Sequence, residues 1–213
     1  MTRRQQRRLI SLAILIILVA LYLYRQSHLP RPTTGPSQNY ITCGAPCGTE
    51  RWAVKTLSDA DAASVNFSPR STTVAWLTSQ PAPSALPADS RIAPLELQAF
   101  TVRAQLLAIK EESDRDFHIL LADLNDPSAT MIAEVPSQNC SGACASPYAS
   151  QFESARRELE SRFGMPPTTA FKSVPGTVIV DVTGIAFFDF FHSQRDVAPN
   201  AIELHPVLSI HFE

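Results

Sequence analysis

From Leu9 to Tyr24 the chain runs sixteen residues with only Ser11 as a polar interruption, and Arg3, Arg4, Arg7 and Arg8 precede it with no acidic residue among them. A buried core helix has no need of positive charge at one end alone, whereas a membrane-spanning helix is oriented by it. At about 1.5 Å per residue the run is slightly short for a hydrocarbon core of about 30 Å. Tyr22, Tyr24 and Arg25 stand where interfacial side chains make up the difference. A secretory signal peptide opens the same way, but Tyr24-Arg25-Gln26-Ser27-His28-Leu29 offers no good small-x-small cleavage site. Residues 1–25 therefore read as an uncleaved signal-anchor, a single transmembrane helix. Its amino terminus is inside, and the rest of the chain is carried to the periplasm or cell exterior.

Charge follows the same division. Five of the eighteen Lys and Arg residues lie in residues 1–30, leaving thirteen against twenty Asp and Glu, a net of about −7 for the exported part. An overall basic field, the electrostatic footprint of a nucleic-acid binder, is absent. Nucleic acid is thus not an expected partner class, and the membrane is engaged through the anchor.

Four cysteines form two CxxxC pairs, Cys43–Cys47 and Cys140–Cys144. In an oxidising compartment an even count reads first as disulfides. Four cysteines allow three pairings; bonds between the two pairs are preferred because each would close a loop of about ninety to a hundred residues and constrain the unfolded chain strongly. Bridges within each pair are the alternative. A four-cysteine zinc site usually has a shorter spacer, and a thioredoxin-like pair needs CxxC.

After the anchor, residues 26–49 form a stalk rich in Pro, Ser and Thr that ends in the first CxxxC. Residues 50–90 hold short pieces, Trp52–Thr56, Ser58–Ala63 and Thr72–Leu77, before Pro81, Pro83 and Pro87 interrupt regular structure. They read as an irregular arm packed on a main domain over residues 91–213. There the pattern is clear. Phe100, Val102, Ala104 and Leu106 alternate with polar residues, Phe117, Ile119 and Leu121 share a face opposite His118, and Thr130–Val135 is a third strand.

A helix follows, with Ser146 as N-cap, Pro147 in its first position and Gly164 past its end. Tyr148, Phe152, Ala155, Leu159 and Phe163 make its apolar stripe; Arg156, Arg157, Glu158, Glu160 and Arg162 are expected to face water. Thr177–Phe188 and Ile202–Phe212 are the last two strands. The fold class is therefore mainly β with one helix. The order β-β-β-α-β-β resembles an OB-fold, a five-stranded Greek-key barrel, with an N-terminal transmembrane helix added.

The segments Glu50–Thr56 (ERWAVKT), Thr130–Pro136, Phe187–Phe190 and Ala198–Val207 (APNAIELHPV) resemble a family of exported bacterial proteins of uncharacterised activity. The resemblance implies an address and no activity. OB-folds also include the staphylococcal-type nucleases, but their catalytic arginines and acidic calcium ligands find no counterpart pattern here.

On the last strand Ile202, Leu204, Leu208, Ile210 and Phe212 take one face, so Glu203, His205 and His211 share the other. The preceding loop adds Asp189, His192 and Asn200, and neighbouring strands add His118 and Glu134. Catalytic candidates are His205, Glu203, Asp189 and His192; ligand-binding candidates are His118, Glu134, Asn200 and His211. Imidazoles and carboxylates so gathered can bind a divalent metal and activate water, but the spacing matches no ligand signature such as HExxH, so no metal ligand is assigned and no cofactor is expected. The run Phe187-Phe188-Asp189-Phe190-Phe191 is a stacking platform if exposed and a barrel closure if buried. The function expected is a membrane-anchored extracytoplasmic OB-like module binding a protein or glycan ligand. The alternative is a metal-dependent hydrolase, nuclease- or phosphoesterase-like, using the His and acidic cluster.

Overall fold

The computed structural model describes residues 43–44, 47–192 and 197–213. The expected transmembrane helix and most of the stalk lie outside the described residues. Among the described residues no helix is long and apolar enough to cross a membrane.

The described part falls in one compact unit built on a closed five-stranded barrel. A short helix, α1 (Trp52–Lys55), and a 3₁₀ turn lead to strand β1 (Asn66–Thr72) and helix α2 (Val74–Thr78). The barrel strands follow: β2 (Gln98–Glu111), β3 (Phe117–Asp123) and β4 (Thr130–Val135), then helix α3 (Ala149–Phe163), a two-residue strand β5 (Lys172–Ser173), and β6 (Ile179–Phe188) and β7 (Ile202–Phe212). The sheet runs β2-β3-β4-β7-β6 and returns to β2, with β4 and β7 parallel and the other barrel pairs antiparallel. That closure, with α3 between the third and fourth barrel strands, is consistent with the OB-like order expected.

Strand β2 is long enough to serve both sides of the closure. Ala99–Gln105 pair with β6, and Ala104–Glu111 pair with β3, with a register shift between Leu106 and Ala108. The alternating apolar residues fill the interior: Phe100, Val102, Ala104, Leu106, Phe117, Ile119, Leu121, Val180, Val182, Ile202 and Leu204 belong to one buried cluster, joined by Ala155 and Leu159 of α3. At about 25 cal/mol per Å² each large side chain so buried contributes roughly 1.5–3 kcal/mol.

Several expectations are corrected here. The face of β7 changes part-way: Val207, not Leu208, joins the interior, and Leu208 packs outside beside Phe152 and Ile185. The cause is a bulge in the β6–β7 ladder at Thr183–Ala186. Helix α3 starts later than Ser146, with Tyr148 at its N-cap; Ser146 instead closes a preceding turn, accepting from Tyr148 N through Oγ and from Ala149 N through its carbonyl. Arg156 does not face water. It is buried with its guanidinium 3.4 Å from the ring centroid of Phe117, donating to the carbonyls of Arg115 and Val135. Strand β1, parallel to the start of β2, was not foreseen. The aromatic run divides: Phe187 and Phe188 are buried, Phe190 and Phe191 exposed.

The arm is fastened over the outside of the barrel. Cys43 bonds Cys144 and Cys47 bonds Cys140, which removes both the intra-pair bridges and the four-cysteine zinc site. Trp52 lies in the clamp and donates Nε1–H to the carbonyl of Ser141. Gly142 has φ +87°, and a Cβ there would stand 2.8 Å from Trp52 Nε1, so both backbone conformation and space call for glycine. Two disulfides place this part of the chain in an oxidising compartment.

Candidate functional site

Strands β3 and β4 and the first six residues of β7, 202–207, are buried on both faces, because the clamped arm and the loops cover their outer side. Under that cover lies a cluster of charge. His118 and Glu134 are cross-strand partners on β3 and β4, and the parallel bridge Ala133–Leu204 brings Glu134 alongside Glu203 and His205 of β7. Phe187 of β6 is paired with Glu203 and meets the His205 ring edge-on at 5.4 Å. Asp116 enters from the turn before β3, where Glu112 N donates to Asp116 O and Ser137 N to Asp116 Oδ1. From above, α1 contributes Lys55, whose Nζ lies 2.9 Å from Asp189 Oδ2.

Glu134 sits between two imidazoles, with His118 Nε2 2.9 Å from its Oε1 and His205 Nδ1 3.0 Å from its Oε2; His205 Nε2 is 3.4 Å from Asp116 Oδ2. The His205 contacts are close in distance but lack hydrogen-bond direction, so both ring nitrogens, Asp116 Oδ2 and Glu134 Oε2 are buried without a hydrogen-bond partner. His118 Nδ1 and Glu203 Oε2 share that condition.

The environment divides the protons. Burial alone would raise Glu134, but the imidazoles of His118 and His205 hold its carboxyl well below the usual range. Glu203 is pushed well above it, by burial first and then by Glu134 and Asp189. Burial opposes charge on His205, yet Glu134 and Asp116 outweigh it and push the imidazole up to about 9. His118 is raised for the same reason, Glu134 again overcoming burial. Lys55 is raised too, since Glu134, Asp189 and Glu203 together outweigh its burial. The cluster therefore favours the charged forms of Glu134, His118 and His205 and the protonated form of Glu203.

A pocket of about 260 Å³ opens on this cluster between the arm and the β2–β3 turn. His118, Glu134, Asp189 and Lys55 form its inner wall, and Glu50, Glu112, Asp114 and His192 stand around it. At the rim the exposed His192 lies 2.9 Å, Nε2 to Oε2, from Glu50.

No protein-family model, curated protein or solved structure matches the chain.

Of the eight candidate residues, the structure gathers His118, Glu134, Asp189, Glu203 and His205 and sets His192 at the rim. Asn200 is elsewhere: its amide donates to the carbonyls of Leu77 and Gln80, and its Oδ1 accepts from Ile202 N, which fastens the end of α2 to the start of β7. His211 is exposed beside α3, six residues beyond His205 along β7 and apart from the cluster. Sequence reasoning missed Asp116 and Lys55. Lys55 lies within the ERWAVKT segment, already singled out; Asp116 ends a polar turn and carried no periodic signal.

Proposed function

We propose that the chain is a membrane-anchored extracytoplasmic module with an OB-like barrel, which binds a ligand presenting positive charge in the pocket between the arm and the β2–β3 turn. The pocket's lining carries this reading: five carboxylates, Glu50, Glu112, Asp114, Glu134 and Asp189, against Lys55 and two histidines. A cationic side chain of a partner protein fits that field better than a neutral glycan, because a concave acidic wall lowers the energy of an incoming cation most. The anchor and the likeness to exported bacterial proteins support the address.

Binding of the full-length protein in detergent to lysine-rich, neutral and glutamate-rich peptides, at two salt concentrations, tests the ligand class. Salt-sensitive preference for the lysine-rich peptide, weakened in Asp114→Asn, is expected; equal binding of all three peptides, or none, removes the reading. Protease added to intact spheroplasts tests the address: the barrel domain should be cleaved from outside, and full protection would place it in the cytoplasm.

A second reading, the metal-dependent hydrolase, draws support from one observation, the approach of Asp116 and Glu134 to the two nitrogens of His205.

A further inference from the structure

We infer that Asp116, Glu134 and His205 form a binding site for one divalent transition-metal ion. The site is distinct from the pocket's own ligand, and it stands whichever reading of that ligand is right.

The donor geometry comes first. One atom from each of the three side chains lies within 4.8 Å of the others, and none of the three is more than 3% exposed. Ligand bonds of about 2.0–2.2 Å around a tetrahedral ion separate neighbouring donors by roughly 3.3–3.5 Å. An ion on one His205 nitrogen uses only one of the two close approaches, 3.0 Å to Glu134 at Nδ1 or 3.4 Å to Asp116 at Nε2, and the other carboxylate reaches it from within the 4.8 Å span of the set.

Unpartnered atoms are the second, independent observation. Asp116 Oδ2, Glu134 Oε2 and both His205 nitrogens have no hydrogen-bond partner although all are buried. A buried polar atom without a directed hydrogen bond is costly, and these four stand within ion-pair distance of one another with no directed bond made. Their other halves are tied down. Asp116 Oδ1 accepts from Ser137 N at 2.9 Å, and Glu134 Oε1 lies 2.9 Å from His118 Nε2. Each carboxylate is thus oriented by one oxygen and presents the other, the arrangement in which outer partners fix metal ligands.

The neighbouring group supplies a contrast. Glu134, Asp189 and Glu203 also have donor spacing, but Lys55 Nζ, 2.9 Å from Asp189 Oδ2, already brings a cation to that end. On the Asp116 side Arg156 acts only through its field, its guanidinium being spent on the carbonyls of Arg115 and Val135 and on the Phe117 ring. One imidazole and two carboxylates, without sulfur, suit ions such as Zn²⁺ or Mn²⁺ and are too few oxygens for Ca²⁺. Entry runs through the pocket, whose wall includes Glu134 and His118. Three protein ligands leave a coordination position for water. Binding displaces the proton from the His205 nitrogen that ligates.

Tag-free full-length protein in detergent, disulfides intact, is stripped with chelator, dialysed separately against Zn²⁺, Mn²⁺ and Co²⁺, and counted by elemental analysis. One ion per chain is expected. Asp116→Asn and His205→Gln should each weaken binding by about tenfold or more, and His211→Ala should not. Substoichiometric metal on the folded wild type, or undiminished binding in both variants, overturns the site. Where the variants fail to fold, the Co²⁺-loaded wild type decides: a hyperfine-shifted, exchangeable imidazole proton resonance is expected, and its absence overturns the assignment to His205.

Discussion

Arg51 and Glu96, forty-five residues apart, form a two-pronged ion pair at 2.7 and 2.8 Å with side chains only 1% and 0% exposed. The remaining guanidinium hydrogens go to the carbonyls of Pro87, Phe188 and Ser90, so all five donors are used. Glu96 accepts in turn from Ile92 N and Phe188 N. The first helix of the arm is therefore tied to the end of β6 and to the Pro-rich segment by one side chain.

Removing one partner strands the other charge in the interior. Arg51→Met should cost about 3–5 kcal/mol, and the double variant Arg51→Met/Glu96→Gln should recover part of that loss. Urea unfolding midpoints of the two variants, measured with disulfides intact, decide it: a double variant no more stable than the single one contradicts this account.

The two disulfides are nested, so their contributions are unequal. Sequence separations of 101 and 93 make either one, formed first, close a long loop and contribute about 4–5 kcal/mol. Once it is present the second closes only the short ring through residues 43–47 and 140–144, worth roughly 2–3 kcal/mol by the same relation. Cys43→Ser/Cys144→Ser and Cys47→Ser/Cys140→Ser should each be mildly destabilised, and removal of all four cysteines should lose more than the two losses added. Guanidinium titrations of the three variants measure this directly.

Asp123 caps the next helix from a distance. Its Oδ2 accepts from Ala75 N, and its Oδ1 from Asn125 N and Asp126 N. Burial opposes its ionisation, but these amide donors together prevail and hold the carboxyl below its usual range. A carboxyl depressed in the folded state adds stability that is complete above its unfolded pKa and is lost as pH falls through the folded one. Between about pH 5 and pH 2 the wild type should therefore lose stability more steeply than Asp123→Asn. Equal slopes in acid titrations of thermal stability would remove Asp123 from the account.

Gly184 of β6 stands opposite the bulged part of β7, paired with Val207. A Cβ at this position would stand 2.8 Å from the carbonyl oxygen of Pro206 and 3.2 Å from Val207 Cα, both backbone atoms that cannot swing aside. Gly184→Ala should cost about 1–3 kcal/mol through overpacking, whereas Thr183→Val, one residue away, should act mainly through its bond to Thr101. Thermal melts of both variants, with circular dichroism to confirm retained sheet, separate the two effects.

The barrel was legible because its strands alternate and its helix has a clean apolar stripe: Phe100 to Leu106 and Phe152 to Leu159 fall where their periods put them. The arm was not, since α1 and β1 are too short to show a period and are held by Arg51, Lys55 and two disulfides across about ninety to a hundred or more residues. Much of the site was visible for the same reason as the barrel: His118, Glu134, Glu203 and His205 are the residues that break the apolar pattern on the outer face of their strands. His211 keeps the outer face that alternation gives it, opposite Ile210 and Phe212, but it stands six residues beyond His205 on β7, beside α3 and away from the cluster. Arg156 failed because a guanidinium stacked on Phe117 can be buried, which residue type alone does not reveal.

A ribosome delivers Cys43 and Cys47 more than ninety residues before either partner exists. For that interval their nearest thiol is each other, and a ring of that size forms readily. The native bonds join partners that the folded sheet brings together: residues 140–144 follow β4 and pass Trp52 to meet the earlier pair. An oxidant that acts faster than the barrel closes would trap the arm in a short ring of its own and leave the charged face of β3, β4 and β7 open to solvent.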